Sequence, residues 1–109
     1  MSENEYVRVA THLHTFLKNV IKLVPYRPSH KYLKIVIDDT QQLVRIEVRE
    51  TDGLGTKTAE LIATVHCTGI IVCDGGRYYL EANAVTDSAQ RAIARAVEEK
   101  GPFVAITMG

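Results

Sequence analysis

The tightest constraint on the fold lies in residues 43–49, where Val44, Ile46 and Val48 alternate with Arg45, Glu47 and Arg49. Side chains of an extended strand point to opposite faces in turn, so this stretch has one apolar face and one charged face. Such a strand belongs to an antiparallel sheet with a dry side and a wet side. Its neighbours in sequence repeat the pattern. Leu33, Ile35 and Ile37 alternate up to an Asp38-Asp39-Thr40 turn. Ala59, Leu61, Ala63, Val65 and Cys67 alternate with Glu60, Thr64, His66 and Thr68, and this strand is expected to run on to Cys73 with a bulge at Gly69. Asp74-Gly75-Gly76 is a tight turn before a strand carrying Tyr78, Leu80 and Ala82.

A sheet with one dry face needs an amphipathic cover, and two stretches supply it. Leu13, Phe16, Leu17, Val20, Ile21 and Val24 follow a helical period from an N-cap at Thr11, and Pro25 ends that helix. Ala89, Ala92, Ile93, Ala96 and Val97 form the stripe of a second helix over 87–99, capped by Thr86 or Asp87 and stopped by Gly101-Pro102. Residues 4–9 alternate through Val7 and Val9 and predict a short opening strand, while Phe103 to Met108 predicts a closing one. The expected order is βα-βββ-βα-β: one α+β domain over 1–109 with both helices on one face of an antiparallel sheet. At 109 residues and 46% apolar content the chain can bury a core as a single domain. No apolar run approaches a membrane span and no signal peptide opens the chain, so a cytoplasmic protein is expected.

Chemistry-bearing patterns are sparse. His12 and His14 form an HxH pair, but in a helix residues two apart point about 200° away from each other. Joining them to His66 and Cys67 needs a coincidence of folding, so no metal site is expected. Cys67 and Cys73, on one strand, would lie about 20 Å apart, too far for a disulfide. No nucleophile constellation is present, and Gly53-Leu54-Gly55 precedes a strand rather than a helix whose dipole could hold a phosphate. Neither an enzyme nor a cofactor is expected.

Charge is more informative. The 13 basic and 13 acidic residues cancel, but they are sorted along the chain. Residues 18–34 carry Lys18, Lys22, Arg27, Lys31 and Lys34 with no acid, while the acids concentrate in the strands and turns beyond. Lys18 and Lys22 are four apart on the first helix, and Arg91 and Arg95 are four apart on the second. Packed side by side, the helices would present these pairs on one outer surface suited to phosphates approached without base readout. A solvated helix face is the plainer alternative.

Val24-Pro25-Tyr26-Arg27-Pro28-Ser29-His30, followed by the strand at 32–38, resembles a segment of the bacterial DNA polymerase III sliding clamp (beta subunit). Tyr6-Val7-Arg8-Val9-Ala10-Thr11-His12-Leu13, Thr51-Asp52 and the Gly75-Gly76 turn with the strand-helix-strand order after it extend the resemblance to an amino-terminal clamp domain. The resemblance implies a DNA-clamp-like fold and a processivity or tethering factor in DNA replication that encircles or tracks duplex DNA. It places Lys18, Lys22, Arg27, Lys31, Arg91 and Arg95 toward DNA. Clamp chains carry two or three such domains and this sequence has one, so self-assembly is implied, as a homo-oligomer of up to six copies in a ring, with a polymerase or other DNA-associated proteins as partners. Lys31 stands where the family usually has proline. The alternatives are a clamp-derived module that modulates a DNA-associated complex without forming a ring, and a generic α+β assembly protein.

Overall fold

A computed structural model describes residues 3–24, 30–51, 56–66, 68–81 and 84–109. Two helices and seven strands follow in the order α1 (Glu3–Val20), β1 (His30–Asp38), β2 (Leu43–Thr51), β3 (Thr56–His66), β4 (Ile70–Cys73), β5 (Gly76–Glu81), β6 (Ala84–Val85), α2 (Asp87–Lys100) and β7 (Ala105–Met108). The strands form one sheet in the spatial order β6-β5-β4-β3-β2-β1-β7. All neighbours are antiparallel except β7, which joins β1 in parallel, so the sheet is mixed rather than wholly antiparallel.

The alternation at 44–48 sets the layers. Val44, Ile46 and Val48 are buried, and register aligns Ile35 with Ile46 and Ile46 with Ala63, so one apolar layer crosses β1, β2 and β3. Ile71 and Cys73 continue it on β4. Leu13 and Leu17 of α1 and Ala89, Ile93 and Val97 of α2 close over this face in the same core cluster. α1 packs on β1, β2 and β7 and also on β6 at the other border of the sheet, and α2 packs on β3, β4 and β5. The α+β architecture with both helices on one sheet face is therefore present.

The opening strand is not. Residues 4–9 belong to α1, which begins at Glu3, so Thr11 is a mid-helix residue and not a cap. Tyr6, Val9, Ala10, Leu13 and Leu17 are buried at helical spacing while Val7 is 46% exposed. The helical stripe thus extends upstream through Tyr6, and the Val7/Val9 alternation is incidental to it. The helix also ends earlier than expected, at Val20, with Ile21 N–H donating to Leu17 O at 2.9 Å. Leu23 and Val24 are extended beside Phe103, and Val24 N–H donates to Phe103 O at 2.9 Å. Pro25 therefore follows the helix end rather than causing it.

The single strand expected from residue 59 to Cys73 is a hairpin. The chain reverses near Gly69, whose φ of 87° suits glycine, and Gly69 N–H donates to His66 O at 2.9 Å. β4 then returns along β3 with Val65 opposite Ile71. At the next reversal Asp74 (φ 52°) and Gly75 (φ 78°) are both left-handed, the arrangement that an Asp-Gly pair favours between twisted strands. The irregularities lie elsewhere, in β3: Ile46 faces Ala63 but Glu47 faces Leu61, leaving Ile62 as the extra residue, and a second shift falls between Glu50, opposite Thr58, and Thr51, opposite Thr56. Gly53-Leu54-Gly55, Cys67 and Ala82 lie outside the described residues.

Val7 and Val9 separate the helix from the strand by experiment. On a strand they would share a face and cost alike on truncation. In the helix, Val9→Ala should cost about 2 kcal/mol in urea unfolding and Val7→Ala under about 0.5 kcal/mol.

Candidate nucleic-acid interface

The six cations expected to face DNA do not gather into one patch. Lys18 is exposed on α1, and Lys22 is exposed but lies beyond the helix end at Val20, so the two do not form a continuous helical pair. Arg91 and Arg95 are exposed on α2 and do share its solvent side, one turn apart. Between the helices runs a shallow depression. Its upper part is lined by Phe16 and Val20 with Asp87, Gln90, Arg91 and Ala94, and its lower part by Val20, Ile21 and Lys22 with Glu98, Pro102 and Phe103. Arg91 and Lys22 thus border one groove. Lys18, two residues from both Phe16 and Val20, points about 200° away, to the flank of α1 that faces away from α2.

The remaining two differ. Lys31 is half-buried, and its Nζ donates to Lys100 O at 3.2 Å, which makes it a tie between β1 and the end of α2. Arg27 lies outside the described residues, as does the whole Pro-Tyr-Arg-Pro-Ser segment around it. Asp87 and Glu98 stand in the same groove as Arg91 and Lys22, so the helix layer is mixed in sign rather than strongly basic.

What distinguishes its cations from Arg45 and Arg49 is their pairing. Lys18, Lys22, Arg91 and Arg95 form no ion pair with another described residue, whereas Arg45 and Arg49 on the sheet's outer face are committed to carboxylates; Lys34 and Arg77 on that same face are, like the helix cations, without an ion pair to another described residue. Glu47, 9% exposed, is the one buried charged side chain among the described residues. It lies between Arg45 and Arg49 on the outer face of β2. Arg49 donates to its Oε1 through Nε at 3.0 Å and Nη2 at 2.6 Å, and Arg45 Nε donates to Oε2 at 3.1 Å. Arg45 also reaches Asp38 across the β1–β2 pair through Nη1. Burial works to raise the Glu47 carboxyl, but the hydrogen bonds from Arg49 and Arg45 outweigh it and hold the group below its usual range. Asp38 is likewise lowered, first by the Gln41 backbone N–H at 2.9 Å and then by Arg45. This ladder was legible as Arg-Glu-Arg at alternate positions, the spacing that sets three side chains in a row on one strand face. On the helix side, the exposed Lys100 is paired, its Nζ meeting Glu60 at 2.6 Å.

His12 and His14 of the HxH pair lie on α1. Both are half-buried, and His12 Nε2 is enclosed without a hydrogen-bond partner among the described residues. No group of three or more His, Cys, Asp or Glu among the described residues could hold a metal ion. Cys73 is buried against the core, and burial pushes its thiol above the ordinary value. No described helix is long and apolar enough to cross a membrane.

Comparison with protein-family descriptions, curated proteins and solved structures finds no match to this chain.

The Asp38 and Glu47 carboxyls both sit lower in the folded state than in the unfolded chain. Their stabilisation is therefore complete above the ordinary carboxylate range and is lost as pH falls through the folded values. Urea midpoints measured from pH 7 downward should fall below about pH 4. Glu47→Gln should cost about 1–2 kcal/mol at pH 7 and flatten that acid dependence, since it removes one of the groups that must take up a proton.

Proposed function

We propose that this chain is a clamp-like tether for duplex DNA, a sequence-independent processivity factor that works as an assembly of identical copies and meets the phosphates with its helix layer. The observation that carries the reading is the set of exposed, unpaired cations on the helix layer. Arg45 and Arg49 on the sheet face are neutralised by Glu47 and Asp38, while Lys18, Lys22, Arg91 and Arg95 on the helix side are not paired among the described residues. Scattered, unpaired cations among acids give weak, salt-sensitive contacts that do not read bases, the kind of contact a protein needs to slide. The layering supports the same arrangement, because sheet on one side and two helices on the other lets copies join through sheets and turn helices toward a common interior. The resemblance of residues 24–30 to the clamp segment adds Arg27 to the proposed contact set. A cytoplasmic site of action belongs to this reading.

The second reading is a module that docks on a DNA-associated complex without forming a ring. It is favoured by the partly apolar floor of the interhelical groove, where Val20 is 43% exposed beside Phe16 and Ala94.

Duplex binding measured across a salt series separates the two. The slope of log K against log salt should be negative, by about 0.9 for each phosphate neutralised. The variant K18A/K22A/R91A/R95A should bind at least about tenfold more weakly at low salt and lose several units of slope. Equal binding by the variant would reject the helix layer as the DNA face. A native chain that stays monomeric, with or without DNA, would reject the ring and leave the docking module.

A further inference from the structure

The two borders of the sheet are managed differently. On one side β6 is only two residues, Ala84–Val85, and a short edge offers little to pair with. On the other side β7 spans Ala105–Met108, and no described strand lies beyond it. Leu23 and Val24 occupy the outer position beside Phe103 but reach no further along β7. Ala105, Ile106, Thr107 and Met108 include none of the usual guards of an exposed edge, neither charge nor proline.

Parity identifies the backbone groups that face outward. Gly109 N–H donates to Ile35 O at 3.0 Å and Gly109 O accepts from Ile37 N–H at 3.2 Å, so Gly109 turns both groups toward β1. Thr107 also turns toward β1, and its Oγ1 donates to Leu33 O at 3.3 Å. Strand alternation then directs the N–H and C=O groups of Ile106 and Met108 away from β1, to the open edge. Their side chains lie on the helix-facing side by register with Leu33 and Ile35, where Ile106 is half-buried and Met108 is 45% exposed.

We infer that β7 is the interface between two copies of this chain, paired antiparallel about a twofold axis at Thr107. This deepens the assembly part of the proposed function by naming the surface that would join copies, and rests on that reading for its biological role. In this register Ile106 and Met108 exchange backbone hydrogen bonds with the partner's Met108 and the partner's Ile106, about four bonds in all. The same two side chains meet across the axis on the helix-facing side, which covers the exposed methionine with an isoleucine. On the other side Thr107 meets the partner's Thr107, a favourable cross-strand pair. No charge on the strand opposes a copy of itself, and the arrangement closes after two chains.

The test measures mass in solution by analytical ultracentrifugation at up to about 100 µM, together with amide exchange. The native chain should be a dimer or a multiple of one. The Ile106 and Met108 amides should gain protection with protein concentration, while the Thr107 amide is protected at every concentration. Met108→Pro removes an outward N–H without removing a bond to β1, and Thr107→Lys sets two like charges together on the axis. Each should weaken self-association at least about tenfold with an unchanged circular dichroism spectrum. A monomeric native chain, or Ile106 and Met108 amides that exchange alike at all concentrations, would overturn the inference. So would a folded Thr107→Lys that associates as the native chain does. Both variants retain Lys18, Lys22, Arg91 and Arg95, so salt-dependent DNA binding tests the functional reading separately from the edge.

Discussion

Burial of one face of the sheet is the constraint on which the rest of this structure depends. Leu33, Ile35, Val44, Ile46, Val65 and Ile71 are fully buried across four neighbouring strands, and their burial requires both helices on the same side. Once that face is chosen, strand parity leaves no freedom on the other. Arg45, Glu47 and Arg49 must occupy the outer face of β2, where their charges pair with one another and with Asp38. The same choice turns the polar sides of α1 and α2 outward and exposes the cations of the proposed DNA face.

The bulge at Ile62 shows how much turns on one residue. It places both Ile62 and Ala63 among buried side chains, and beyond it the faces of β3 change over. Leu61 is left 56% exposed opposite Glu47, while Glu60, opposite Val48, reaches the helix side and meets Lys100 at the end of α2. Lys31 grips the carbonyl of the same Lys100 from β1. Lys31, expected to face DNA, is thereby occupied with Lys100 in holding α2 to the sheet. Proximity in sequence put Lys31 with Lys18 and Lys22, and folding separated them.

Legibility followed the length over which a pattern was repeated. The strand around Val44–Val48, the strand before it and the helix at Asp87–Lys100 were all plain, because each repeats its period several times. Tyr6 to Val9 satisfied both periods at once. The strand pattern there had only two members, whereas the helical stripe ran on through Leu13 and Leu17 and won by burying five side chains. The break between β3 and β4 was hidden because Val65 and Ile71 are each apolar and lie in phase on either side of Gly69, so a bulge and a hairpin read alike. Of the candidate interface, the individual cations were visible and their grouping was not. Helix packing sets Arg91 against Phe16 and Val20, sets Lys22 by Glu98, and turns Lys18 to the other flank, and no local pattern encodes which flank of a helix meets its neighbour.

The sequence by itself determined the class: alternation at period two and apolar stripes near 3.6 specify a one-faced sheet and its helical cover, since both follow from backbone geometry alone. It also determined that charge would be segregated, with cations gathered before the strands. Tertiary structure alone decided which cations are neutralised, which strand ends the sheet, and which backbone groups face outward there. Those properties depend on contacts between residues far apart in the chain, such as Lys34 with Thr107 in the β1–β7 register and Glu60 with Lys100 between sheet and helix. A pairing of that kind is chosen by the packing of the whole apolar layer, which no segment carries within itself.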